Sequence, residues 1–384
     1  MARRAGRIVV IAFALLLVGC VERPVGNLIE VSARDPDASL VSMLVTTTRA
    51  QVTDAGVMFG GERARGLRYA DISVSIPPDS TREIGEIQWP RSPPGDPAHD
   101  FVTTNAEVAD LAQTRGKFDA RLDNSKARHA LVFVHGYNTR FEEAVYRFAQ
   151  IVHDSRANVV PVLFTWPSRG EALSYFYDRE SAAYSRDALE AVLQGMVDDK
   201  HVASISVLAH SLGNFVAVEA LRQMAIRNRG LSPKFRDIML ASPDIDVDVF
   251  RREVAEIEKY DKAPPITLFV SQDDKALGLS KSVAGDEPRI GAVDPTVEPF
   301  RGILEQAGVR VVDLTSFAAD DDMAHGKFST SEVVRSIGQR LAGGQKLNDA
   351  KATLGDTVRA MAVNAAATAA GVTTTPTPAL SPQP

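Results

Sequence analysis

The chain has 384 residues, with 43 basic and 49 acidic side chains for a net charge of −6, and a single cysteine. One thiol excludes an internal disulfide framework and a cysteine-built zinc site. The acidic balance argues against nucleic-acid binding, and 24% charged with 45% hydrophobic residues describes a globular protein with a large core, not a disordered or multi-pass membrane chain.

The first segment reads as a targeting signal, not as fold. Arg3, Arg4 and Arg7 precede an uncharged apolar run over 8–18. That run is too short to span a bilayer as a helix, which takes roughly 20 residues, but it fits the h-region of a secretory signal. It ends in Leu17-Val18-Gly19-Cys20, which resembles a bacterial lipobox, where small residues precede a cysteine whose thiol receives a lipid before cleavage. The resemblance implies a signal peptide over 1–19 and lipidation at Cys20. It also implies a lipoprotein of the bacterial cell envelope, anchored to the membrane and periplasm-facing in a Gram-negative cell. Residues 20–38 then read as a linker.

Strands are predicted over 39–46 and 70–76. The second alternates, with Ile72, Val74 and Ile76 on one face, and Pro77-Pro78 stops it. Residues 39–125 are expected to supply leading antiparallel strands and long loops of the main sheet, with a separate small β domain as the alternative. From 126 to 345 strands and helices alternate. Apolar runs at 130–134, 158–164, 204–209, 237–241, 266–270 and 309–314 read as strands, the second with Pro161 near its start. Helical spacing marks 141–155, 179–196, 215–226 and 333–341. This order predicts an α/β fold with a mostly parallel twisted sheet, helices on both faces, and ligand sites at the carboxyl ends of the strands. The last stretch, 346–384, reads as a helix remnant followed by an Ala/Thr/Pro-rich tail without charge from 364 onward. Such a composition lacks the apolar side chains to offset ordering entropy, so disorder is expected.

The chemistry concentrates at Ala209-His210-Ser211-Leu212-Gly213, between a predicted strand and a helix. This is the G-x-S-x-G nucleophile elbow with alanine in first place. A serine nucleophile needs a base and the base an orienting acid, in the chain order Ser, acid, His. Downstream of Ser211 stands a single histidine, His325, after the sixth core strand. The acid is expected after the strand before it, at Asp274, with Asp273 second and Asp244 or Asp246 as further options. Asp320, Asp321 and Asp322 read as an acidic turn able to perturb His325. An oxyanion needs backbone donors. Leu212 and Tyr137 are assigned these, in a loop His135-Gly136-Tyr137-Asn138 where Gly136 permits close backbone approach and His135 braces rather than acts as base. The remaining histidines show no metal-ligand spacing, and the chemistry needs no cofactor.

Together these segments resemble the α/β-hydrolase superfamily, and within it an uncharacterised bacterial esterase/lipase-like branch. The resemblance is carried by Phe133-Val134-His135-Gly136-Tyr137-Asn138, Phe164-Thr165-Trp166-Pro167-Ser168-Arg169-Gly170, Tyr177-Asp178-Arg179-Glu180-Ser181-Ala182, the Ser211 elbow and Ala241-Ser242-Pro243-Asp244-Ile245-Asp246, and covers roughly 40–340. It implies the α/β-hydrolase fold and a Ser–His–Asp triad. The expected function is a serine hydrolase (carboxylesterase or lipase-like) acting on small-molecule or lipid acyl esters. Thioester, amide and acyl-transfer chemistry use the same triad. The competing expectation is a non-catalytic hydrolase-fold envelope lipoprotein that binds or scaffolds partners. Trp166 is expected either to line a pocket or to pack. No role for Tyr177-Asp178-Arg179 follows from the sequence.

Overall fold

The computed structural model describes residues 23, 25–33, 35–260, 263–319 and 321–343. Cys20, the signal segment, Asp320 and the Ala/Thr/Pro-rich tail lie outside them. The described chain forms one nine-stranded sheet. Its strands are β1 (Ser39–Gln51), β2 (Phe59–Ile76), β3 (Val102–Ala109), β4 (His129–Val134), β5 (Val160–Thr165), β6 (Ser204–His210), β7 (Phe235–Ala241), β8 (Ile266–Val270) and β9 (Arg310–Asp313). The order across the sheet is β3-β2-β1-β5-β4-β6-β7-β8-β9. β1, β2 and β3 pair antiparallel, and every pairing from β1–β5 to β8–β9 is parallel. This is the α/β-hydrolase fold. The leading strands are continuous with the main sheet and do not form a separate small β domain.

The helices are α1 (Leu111–Asn124), α2 (Phe141–Ser155), α3 (Tyr175–Asp198), α4 (Gly213–Asn228), α5 (Val247–Glu258), α6 (Lys275–Val283), α7 (Phe300–Gln306) and α8 (Ser331–Gly343). None of them is long and apolar enough to cross a membrane.

Burial on both faces explains the continuous apolar runs. Side chains alternate along each strand, so β4 sends Ala130, Val132 and Val134 into one core and Leu131 and Phe133 into the other. The first core is closed by α3, α4 and α5 through Leu189, Leu193, Val216, Leu221, Phe250 and Val254. The second is closed by α2 and α8 through Phe141, Val145, Phe148, Val333 and Ile337.

Three details depart from the expectations. First, the supposed linker is packed. Leu28 is buried, its N–H donates to Gly56 O at 3.0 Å, and the Asn27 carbonyl accepts from Thr103 Oγ1 and Tyr146 Oη. Leu28 belongs to the second core and Val31 N–H donates to Thr103 O at 2.8 Å, so a solvated linker does not describe 25–33. Second, α1 occupies part of the expected loops, started by a capping box in which Asp110 and Gln113 satisfy each other's backbone amides. Third, Pro161 stands inside β5, at the second residue. It is tolerated there because pairing with β1 begins only at Val162.

β4 lies between β5, which follows it in the chain, and β6, which comes after that. The chain therefore turns back across β4, and the helices that follow β4 and β6, α2 and α4, pack on opposite faces of the sheet. Such a switch point opens a crevice where ligands bind in open α/β sheets.

Phe148 tests the second core. It is fully buried and stacks on Phe133 of β4 with centroids 5.3 Å apart. Phe148→Ala is expected to destabilise the protein by about 3–5 kcal/mol. Denaturant unfolding checks this, and a loss below about 1 kcal/mol would contradict the packing described.

Candidate active site

β6 ends at His210 and α4 begins at Gly213, so the chain has two residues in which to turn from strand to helix. It does so by placing Ser211 at φ +52°, a left-handed conformation uncommon for a residue with a Cβ. Neighbours hold it there. The Ser211 N–H donates to Ala241 O at 3.0 Å, and the Asn214 side-chain amide donates to Ser211 O at 2.9 Å and to Ala241 O at 2.8 Å. Two glycines make the turn possible. A Cβ on Gly213 would stand 2.2 Å from His135 O, and one on Gly136 would stand 2.8 Å from Ser211 Cβ. The loop after β4 and the elbow after β6 therefore touch through bare backbone. Ala209, in the position more often glycine, is accommodated fully buried. Among the described residues no hydrogen bond engages the Tyr137 or Leu212 N–H, which belong to these two apposed turns.

His325 arrives from the loop after β9. Ala324 before it is also left-handed, at φ +55°. Asp321 shapes the loop by accepting the amides of Met323 (2.9 Å), His325 (3.1 Å) and Gly326 (2.6 Å). His325 Nδ1 donates to Asp274 Oδ2 at 2.7 Å, which leaves Nε2 as the acceptor of the ring. The imidazole packs on His210, 4.6 Å between centroids, and His210 stacks on Phe328 and donates from Nε2 to the His325 carbonyl at 3.2 Å. Ser211 and His325 line the same cavity without a direct hydrogen bond between their side chains.

The four candidate acids have separate surroundings. Asp274 is buried, caps α6 by accepting the Leu277 amide with Oδ1 at 3.0 Å, and offers Oδ2 to His325. Asp273 turns the other way and pairs with Lys327 Nζ at 2.7 and 2.9 Å. Asp246 caps α5. Asp244 is buried against Ser280 Oγ, Tyr175 Oη and the Arg289 guanidinium. Burial opposes charge on His325, but the Asp274 hydrogen bond and negative charge outweigh it, with help from Asp244 and Asp321, and raise its pKa above the ordinary value of 6.5. His210 goes the other way. Burial and the neighbouring His325 hold it well below that range, and so neutral.

Further groups brace the loops; sequence reading names His135 for this, leaves Trp166 and Asp178 without a settled role, and does not find Arg49. Arg49 is buried inside β1, where the pairing with β2 shifts register on either side of it. The irregularity directs a charged side chain inward from the strand. Its guanidinium donates to Gly60 O (3.0 Å), Ser168 O (2.7 Å), Thr139 O (2.8 Å) and His135 Nε2 (3.3 Å). Burial lowers its pKa to about 10, which leaves it charged at neutral pH. His135 donates from Nδ1 to Gly136 O at 2.9 Å and accepts the Trp166 amide at Nε2, so it is a neutral brace in the cavity wall. Trp166 is buried, stacked on His135 at 5.0 Å, and donates its indole N–H to His135 O. It packs behind the loop and does not line the cavity. Asp178 accepts from Ser168 Oγ, the Arg169 amide and the Asn138 amide, which ties the loop after β5 to the loop after β4. That supplies the role missing for the Tyr177-Asp178-Arg179 segment. Its sequence signal was an acid in the first turn of a helix. Arg49 had only the weak signal of a charge inside a strand.

The cavity holds about 730 Å³, and Ser211, His325, Tyr137, Gly136 and His135 contribute to its wall together with Trp89, Phe133, Leu277, Leu279 and Val283. Among the described residues, two clusters of Asp and His could hold a cation: Asp79, His153 and Asp154, and Asp119, Asp199 and His201. The first is already paired with Arg82 and Arg156. Neither contributes to the cavity wall.

Comparison with known proteins adds the family. A curated relative, an uncharacterized protein of Nostoc sp., is 25% identical over 141 residues, covering 30% of this chain and 36% of that one. The match thus spans about a third of the relative's length. Among solved structures, the esterase rPPE complexed with (S)-Ac-CPA covers 84% of this chain and 88% of its own, with 11% identity and a TM-score of 0.38. A lipase-esterase related protein from Clostridium acetobutylicum covers 57% and 95%, with 11% identity and a TM-score of 0.30. Likeness this low bears on neither mechanism nor substrate. The family match runs over 110–343, beginning at the cap of α1, so β1 to β3 lie outside it and its extent is shorter than the 40–340 expected from the sequence. On that match the chain belongs to the family of alpha/beta hydrolases of unknown function, DUF900.

Proposed function

We propose that the protein is a serine hydrolase cleaving carboxylic acyl esters on a lipid-anchored envelope protein. The observation that carries the reading is the His325–Asp274 hydrogen bond, 2.7 Å long, at the wall of the cavity that Ser211 also lines. In this mechanism Ser211 Oγ attacks the ester carbonyl as His325 Nε2 takes its proton. The Leu212 and Tyr137 amides receive the oxyanion, and the N-terminus of α4 adds a favourable dipole. Collapse expels the alcohol, protonated by His325, and leaves an acyl-Ser211 ester. Water then attacks with His325 again as base, the acid leaves, and Ser211 recovers its proton. Asp274 fixes the tautomer that keeps Nε2 free, and does not itself need to change protonation.

The elbow predicts a specific label. A fluorophosphonate probe is expected to modify the wild-type protein at Ser211 and not the Ser211→Ala protein. Equal labelling of the two, or none of a folded wild type, would remove the nucleophile assignment.

The acid and the pH profile are tested together. Asp274→Asn is expected to lower kcat by about 10³–10⁴, whereas Asp273→Asn, which faces Lys327, stays within about tenfold. His325 must be neutral to accept a proton, and its pKa is raised. Activity therefore falls on acidification with a midpoint above 6.5. With Asp274→Asn the raising partner is lost and burial dominates, so an NMR titration of His325 moves to lower pH. A midpoint unmoved by Asp274→Asn would contradict the pairing.

The anchor rests on the lipobox-like sequence at Cys20. Metabolic labelling with a clickable fatty acid is expected to mark the wild-type protein and to be lost on Cys20→Ala. Equal labelling of both would place the lipid elsewhere or nowhere.

A further inference from the structure

The wall of the cavity turns outward into a rim that is apolar and wet. Leu279 and Val283 on α6 line the cavity yet are about half exposed, at 53% and 52%, and Met323 on the His325 loop does the same at 39%. Across the opening, Ala172 and Tyr175 line the cavity, and the residues next to them stand free of it. Leu173 is 98% exposed and Phe176 is 70% exposed, its ring edge against Tyr175. Leaving such side chains in water has no structural reason here. Leu277 and Ser280 already seat α6 on the protein, so Leu279 and Val283 are surplus to its packing. Clustered apolar exposure at a functional mouth marks a contact surface.

Where the chain enters the fold says what covers that surface. The first described residue, Arg23, lies on the same rim. Its guanidinium donates to Asn138 Oδ1 (2.8 Å), Asn138 O (2.8 Å) and Gly170 O (3.0 Å) and pairs with Glu143, and Arg23 itself lines the cavity. Cys20 and the apolar run 8–18 precede it directly in the sequence. Whatever holds that end at a membrane holds the cavity mouth beside it, since three residues reach only about 10 Å. Lys275, whose Nζ donates to Asp322 O at 2.9 Å, and Lys281 are exposed on α6 and flank the apolar positions in the sequence.

We infer that the cavity mouth is a lipid-docking face: Leu173, Phe176, Leu279, Val283 and Met323 seat in the outer acyl region of a bilayer, and the site takes its ester from that bilayer. The substrate half of the inference rests on the ester reading above, and the docking half on the membrane attachment proposed at Cys20. The driving force is apolar burial, since the protein is acidic overall.

The test separates the two halves. For docking, the full chain in a Ser211→Ala background is reconstituted with vesicles of brominated phosphatidylcholine. Phe176→Trp is expected to add emission that the bromine quenches, relative to the protein with its native tryptophans, whereas the emission added by Val249→Trp on exposed α5 survives. Equal quenching at both positions, or none at Phe176→Trp, overturns the docking face. So does a dimer, seen by sedimentation without lipid, that Leu173→Ser/Phe176→Ser dissolves. For substrate delivery, Leu173→Ser/Phe176→Ser is made in the active protein. Turnover of a long-chain ester held in vesicles is expected to fall about tenfold or more, and turnover of a soluble short-chain ester to stay within about twofold. Equal loss on both substrates overturns delivery from the bilayer. Absence of all Ser211-dependent turnover overturns the ester reading, and the quenching result stands apart from it.

Discussion

A charge buried beneath the loops holds this site together. Arg49 sits in β1, outside the matched family region, and yet its guanidinium reaches the β1–β2 hairpin, the loop after β4 and the loop after β5. A buried cation is tolerated only when its donors are met and opposite charge is near. Three carbonyls and the His135 ring take four of its five N–H donors, Nε having no hydrogen-bond partner among the described residues, and Glu142, Asp178 and Glu143 supply the field. Asp178 binds the same loops from the other side. With both in place, the Tyr137 turn cannot drift away from the Ser211 elbow. Preorganised donors are what oxyanion stabilisation requires, because they need no reorganisation when charge develops. The leading strands are thus more than an appendage to the parallel sheet.

The same logic of fixed partners sorts the carboxylates. Asp273 and Asp274 are adjacent, but one caps α6 and faces His325 while the other faces Lys327. Each oxygen of Asp274 has a donor, so the carboxylate is held in one orientation. Lys327 in turn is buried and bound to Leu314 O and Thr315 O, which secures the loop that carries His325. His210 adds a neutral ring against His325 and a hydrogen bond to its carbonyl. A histidine with a raised pKa is therefore surrounded by groups that hold it without donating to Nε2.

Much of this was legible in the sequence, and the reasons are specific. β8 and α2 fall on the bounds expected from their apolar run and helical spacing, because both are buried and their patterns are clean. The elbow is legible because a strand, a small residue, a serine and a glycine leave few alternatives. α1 was missed although Asp110 and Gln113 formed its capping signal, because its mean polarity hid the few inward residues Thr114, Phe118 and Leu122. The acid was narrowed to four residues and no further, since neighbouring carboxylates differ only in rotamer and partner. Arg49 was illegible because a register shift decides which way its side chain points. The linker expectation failed because Leu28 and Asn27 are buried in a short segment whose other apolar residues, Val25 and Ile29, stay exposed, so no periodic pattern marks it as packed.

Rigid support beneath the cavity and apolar exposure above it belong to one design. The braces act on the side facing the sheet, where backbone donors must not move. The outer rim, from Leu173 and Phe176 to Leu279 and Val283, is left exposed. Were the rim needed for the fold, its side chains would be turned inward, as Leu277 is on the same helix. Arg23 joins the two levels. It is hydrogen-bonded to the braced loop at Asn138 and lies at the rim where the polypeptide comes in. On the reading proposed above, an attachment at that end would bring the mouth to a surface in one orientation, and apolar side chains that are costly in water would become the contact through which the cavity is filled.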